Sequence, residues 1–193
     1  MEEIVQLNSQ AKLSEHFTLG EFTKSGSHPE VYNIPSHEAI ANLKRLCTWL
    51  EVLRKRYNEL YVQGEFCRIY NSAEPNMGIC NPHSIANADI NSSRISNSTE
   101  QGIHINSGYR SPQLNRKIGG APTSNHLTGC AADIRVAGME QALRYAVILL
   151  DYADESKQEF DELLIERNRY GAMWVHFAVR PSNNRRKILF INA

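Results

Sequence analysis

Two histidines and an aspartate are the residues of this chain whose types and spacing could do chemistry together. His126 and Asp133 lie in SNHLTGCAAD, Ser124 to Asp133, seven positions apart with Gly129 between them. Two ligands on one helix need a spacing of three or four. This pair therefore reads as a loop feeding a strand, with the glycine letting the backbone turn back. His176 stands in WVHFAV, Trp174 to Val179. In an extended strand it shares a face with Trp174 and Ala178, while Val175 and Phe177 point the other way. Two imidazoles and one carboxylate make a three-ligand site for Zn²⁺, with a fourth position left for water. Each residue also has a plainer reading. A histidine in a strand can be a core or surface residue, and Arg110 can be an ordinary ion-pair arginine. His16, His28, His37 and His83 fall in loops or at a helix start without a partner, and His104 reads as a structural strand residue.

The elements that must position these groups follow from periodicity. Residues 1–35 read as irregular, punctuated by His28-Pro29 and Ile34-Pro35. Ser36 fits an N-cap. From it to Tyr57, Ile40, Leu43, Leu46, Cys47, Leu50 and Leu53 recur at three- and four-residue steps and predict an amphipathic helix. Residues 71–100, rich in Asn and Ser, read as a long surface insertion. Ile103 and Ile105 predict a short strand. Ser111-Pro112 starts a short helix that Gly119-Gly120 ends. Ala132–Val136 is a second strand. Met139 to Ala153 is a helix with Ala142, Leu143, Ala146, Leu149 and Leu150 on one side. Leu163–Ile165, Trp174–Val179 and Ile188–Ile191 are three more strands. The fold class is α+β: a small, mainly antiparallel sheet packed with helices, in one domain over 1–193.

Composition narrows the function classes. The 193 residues carry 21 Lys+Arg and 21 Asp+Glu, so the net charge is zero. That argues against a nucleic-acid binder, which would show a basic excess. No apolar run approaches a membrane span. The acidic start MEEIVQLNSQ has no apolar h-region, so no signal peptide is visible. The four cysteines, Cys47, Cys67, Cys80 and Cys130, match no zinc-ribbon or CxxC spacing. They read as free thiols, with Cys67–Cys80 the one pairing worth testing.

The motifs also resemble a known family. Ser124-x-His126-x-x-Gly129-x-Ala131-x-Asp133 is similar to the SxHxxGxAxD signature of the zinc D-Ala-D-Ala carboxypeptidase family, peptidoglycan peptidases with the hedgehog/D,D-peptidase fold. Trp174-Val175-His176 resembles its WxH element, and SGYRSPQLN, Ser107 to Asn115, its SGYRSxxLN segment. LSEHFTLGEFTKS, IPSHEAIANLKRL and FDELLIE match further segments in order, closest to the phage endolysin-like branch.

The resemblance implies that His126, Asp133 and His176 bind one zinc ion. It implies that Arg110 lies in the cleft to polarise a carbonyl or hold a carboxylate, and that Ser124 contacts substrate or supports a ligand. Tyr109 and Asn115 would hold the loop that carries Arg110. Many members place a catalytic glutamate three residues before the last histidine, where this chain has Met173. The branch it most resembles has a glutamate matching Glu166, which is therefore the expected general base, with Asp161 and Glu162 as rivals. In a strand, Glu162, Leu164 and Glu166 share one face and Asp161 points away. The implied function is cleavage of peptide bonds in peptidoglycan stem peptides, as a carboxypeptidase or an endolysin-type endopeptidase. The alternative is a non-catalytic zinc-containing module that binds cell wall or protein. The implied location is the cytoplasm until release, or outside the cell with a leader absent from this chain.

Overall fold

The computed structural model describes residues 8–62 and 101–192. The Asn/Ser-rich stretch at 71–100 and the Cys67–Cys80 pairing lie outside these residues. The helix opened by Ser36 is α2, His37–Tyr57, and the Ser36 hydroxyl accepts from the Ala39 N–H at 3.1 Å. Its stripe of Leu43, Leu46, Cys47, Leu50 and Leu53 is fully buried, and the chain continues through a π-helical turn at Asn58–Val62.

Ahead of it lies a short helix that the sequence reading of 1–35 as irregular did not include. This is α1, Leu19–Thr23, whose Glu21 carboxylate accepts from the Thr18 N–H and hydroxyl. Five residues show too little periodicity to read as a helix. Burial of Phe17, Leu19 and Phe22 holds it in place. Two further helices follow, α3 (Pro112–Lys117) and α4 (Met139–Ser156). On α4 the buried side is Ala142, Tyr145, Ala146, Ile148, Leu149 and Ala153. Leu143 was expected among them, but it is half exposed, because it sits about 100° around the helix from Ala142.

The strands are β1 (Ile105–Ser107), β2 (Ala131–Arg135), β3 (Glu162–Arg167), β4 (Met173–Ala178) and β5 (Lys187–Asn192). They form one sheet in the order β1-β2-β4-β3-β5. Every pairing is antiparallel except β3 with β5. The architecture is thus α+β. Alternation along β2, β3 and β4 sends Ala132, Ile134, Leu163, Val175 and Phe177 into one core with α2 and α4. Trp49 of α2 marks the junction, with its ring centroid 4.8 Å from Tyr152 of α4 and 5.3 Å from Phe177 of β4. Cys47 and Cys130 are free and buried, and burial pushes the Cys47 thiol up to about 12, which leaves it inert at neutral pH. Among the described residues no helix is long and apolar enough to cross a membrane.

Candidate metal centre

The opposite face of the same strands carries the chemistry. Register aligns Asp133 of β2 with His176 of β4, and His176 with Leu164 of β3. The third group, His126, comes from a 3-10 turn, Asn125–Thr128, just before β2. The Ser124 hydroxyl caps this turn by accepting from the His126 N–H at 3.3 Å. Gly129 closes it with φ +70°, and a Cβ there would stand 2.5 Å from the Ala39 carbonyl oxygen of α2. The turn is thereby pressed against the helix and His126 is aimed back over the sheet.

The donors converge on one atom. His126 Nε2 is 3.2 Å and His176 Nδ1 is 2.9 Å from Asp133 Oδ1. All three residues are buried, and a ligand atom from each lies within 4.8 Å of the others. The other ring nitrogen of His126, Nδ1, is 2.6 Å from the Gly108 carbonyl, which can only accept, so Nδ1 carries the proton. Gly108 is itself seated against α1, where a Cβ would be 2.7 Å from Phe22. Burial holds the His126 ring below its ordinary pKa against the pull of Asp133, so it is neutral. A lone pair on Nε2 therefore faces a carboxylate oxygen, and that arrangement calls for a cation between them. Tetrahedral ligands about 2.0–2.2 Å from zinc stand roughly 3.3–3.6 Å apart. The 3.2 Å separation is near that and the 2.9 Å one is shorter, and two imidazoles with one carboxylate suit zinc in chemistry.

Charge around the donors is uneven. Burial would raise Asp133, but His126 and His176 hold it far below the usual carboxylate range. Burial also opposes charge on His176, yet Asp133 and Glu162 raise it to about 9. Arg110 donates through Nη2 to Asp133 Oδ2 at 2.6 Å and through Nε to Ser107 Oγ at 2.9 Å. It grips Asp133 directly, and among the described residues Nη1 makes no hydrogen bond. The loop around Arg110 is held by Asn33, whose amide donates to the Tyr109 carbonyl and whose Oδ1 accepts from the Ser111 N–H. Asn115 donates to the Ala121 carbonyl instead and so orders the loop that leads to Ser124.

The three carboxylates weighed as general base have different surroundings. Asp161 is fully buried and bound by Arg180, Arg185 and Asn125. Glu162 contacts His176, Asn125, Arg185 and Lys187, and the contact with His176 leads the causes that lower it to about 2. Glu166, opposite Trp174, forms no ion pair among the described residues. Burial raises its pKa, while its charge is felt by His176 and Asp133. Met173 is on the core face of β4 and packs against the core. A residue three positions before His176 in this strand faces away from the site.

The sequence reading missed Asn125, which touches both Asp161 and Glu162 and accepts from Arg180 Nε at 2.8 Å. Its one signal was its position beside His126. A groove of about 360 Å³ runs along the outside of the turn, lined by Glu38, Thr123, Ser124 and Arg180, and none of the three donors lines it.

A family model described as peptidase M15 matches residues 68–165, just over half of the chain. The match contains Arg110, Ser124, His126, Asp133, Asp161 and Glu162, and Glu166 and His176 lie beyond it. No curated protein matches the chain.

Proposed function

The chain belongs to the peptidase M15 family, and from that premise we propose that it is a zinc-dependent hydrolase of peptide bonds in peptidoglycan stem peptides. One observation carries the reading: the unprotonated nitrogen of a buried, neutral His126 faces Asp133 Oδ1 beside His176 Nδ1. His126, Asp133 and His176 would hold the zinc, which when bound supplies a Lewis acid and lowers the pKa of water to about 7.

The rest of the reaction falls to the chain's own groups. Glu166 is the general base in this proposal. Burial makes its carboxylate a better proton acceptor, and among the described residues it forms no ion pair. It takes a proton from the attacking water as the water oxygen bonds to the carbonyl carbon. It returns that proton to the leaving nitrogen as the C–N bond breaks. Arg110, anchored by Ser107 and Asp133, presents Nη1 to the developing oxyanion or to a substrate carboxylate. Ser124 supports His126 as a cap on its turn.

The second reading, a zinc module without catalysis, was motivated by Met173. Met173 packs against the core and brings no acid–base group to the donors, so in the enzyme reading the carboxylate comes from β3. The test is mass spectrometry of peptidoglycan fragments after incubation with the protein, with chelator and with zinc restored. Cleavage that stops with chelator and returns with zinc is the expected result. Loss of a terminal residue identifies a carboxypeptidase and a split stem an endopeptidase. A zinc-loaded protein that cuts no stem chemistry overturns the enzyme reading in favour of the binding module.

A further inference from the structure

We propose that Glu162 is a positioning residue that fixes the ring of His176 through its rear nitrogen and so sets the affinity of the metal centre. This rests on reading His126, Asp133 and His176 as a zinc site.

The His176 ring lies between two carboxylates. Nδ1 is 2.9 Å from Asp133 Oδ1, and Nε2 is 3.5 Å from Glu162 Oε2. A ring that gives the Nδ1 lone pair to a cation keeps its proton on Nε2, and that proton then needs an acceptor behind the ring. Glu162 Oε2, in ion-pair contact at 3.5 Å, is positioned to be that acceptor. His126 is built the same way with the nitrogens exchanged, its Nδ1 proton resting on the Gly108 carbonyl. One ligand ring is thus backed by the main chain and the other by a side chain.

A side chain can back a ligand only if it is itself held. The Glu162 side chain is 14% exposed and held at both oxygens. Oε2 accepts from Asn125 Nδ2 at 2.9 Å, and Oε1 faces Arg185 Nη2 at 2.8 Å and Lys187 Nζ at 3.6 Å. The same Asn125 amide donates to buried Asp161, which binds Arg185 in turn. Asn125 is adjacent to His126 in the chain. The frame of one ligand histidine therefore reaches through Asn125 and Glu162 to the ring of the other. These bonds also explain why Glu162, although next to the donors, is unsuited to shuttle protons.

The test compares zinc affinity, by competition with a chromophoric chelator, in the full chain and in Glu162→Ala, Glu162→Gln and Asp133→Ala. Loss of a carboxylate behind a ligand histidine is expected to weaken zinc binding by about 10–100-fold. Glu162→Gln keeps an acceptor oxygen but loses its charge, so its loss should be smaller, under about tenfold. The visible spectrum of the cobalt-substituted protein should shift in both variants, which a residue that only supports the fold would not cause. If Glu162→Ala does not fold, Glu162→Gln carries the test. Affinity within about twofold of the parent with an unchanged cobalt spectrum overturns the inference. If that happens while Asp133→Ala loses zinc, the zinc site stands and only the role of Glu162 falls. If the parent chain takes up neither zinc nor cobalt, the zinc reading falls and this inference with it.

Discussion

The two faces of the same three strands do opposite work. On one face of β2, β4 and β3, Ala132, Ile134, Val175, Phe177 and Leu163 are buried among α2 and α4. On the other, one residue along each strand, are Asp133, His176, Glu162 and Glu166. The apolar face draws on non-directional burial, roughly 1.5–3 kcal/mol for each large side chain. The polar face gains little net stability, because each buried charge must first be desolvated and then paired. It does gain position: Asp133, His176 and Glu162 are each set by a partner on another element. The pleat lets one strand do both, and the stiff apolar side holds the polar side in register.

The widest separation of the two roles is expected from Glu166→Gln. Removing a general base should cut turnover by about 10²–10⁴-fold while zinc content and melting temperature stay near those of the parent. Assay of purified variant on peptidoglycan, with metal analysis of the same sample, checks it. The converse is Phe177→Ala, one residue from His176 but on the apolar face. It should cost about 3–5 kcal/mol in denaturant unfolding and leave zinc stoichiometry unchanged in the fraction that folds.

A smaller effect sharpens the comparison through pH. Burial would raise Asp161, but Arg185, Asn125 and Arg180 hold it below its ordinary value. A carboxylate depressed in the folded state adds stability above its unfolded pKa, and that contribution is lost as pH falls through the folded value. Unfolding free energy should therefore drop below about pH 4, and this acid limb should be shallower in Asp161→Asn, followed by denaturant titration between pH 6 and pH 2. The smallest effect is expected from Ser124→Ala. Loss of the cap on the His126 turn should cost about 1 kcal/mol and weaken zinc binding only slightly, measured by the same unfolding and competition experiments.

Much of this was legible in the chain because it depends on local pattern. The α2 stripe, the strand alternation around His176 and the ordered motifs around Arg110, His126 and Asp133 are all short-range signals. Where a local signal was weak, the reading failed. Helix α1 is five residues long and is held by tertiary burial of Phe17 and Phe22 rather than by its own periodicity. Leu143 counted as core by its type and lies exposed by its angle on α4.

Residue types and spacing by themselves pointed to the α+β class and to His126, Asp133 and His176 as candidates for a metal site, while the short set of carboxylates came from the resemblance of the ordered motifs to a family. Only the tertiary structure separated those carboxylates. Asp161, Glu162 and Glu166 sit within one six-residue stretch, FDELLIE less its first residue, and alternation could set aside Asp161 alone. Which of Glu162 and Glu166 is locked by cations depends on Arg185, Lys187 and Asn125, brought in from the β3–β5 pairing and from the His126 turn. Electrostatic environment is set by groups distant in sequence and near in space, and no local pattern encodes it.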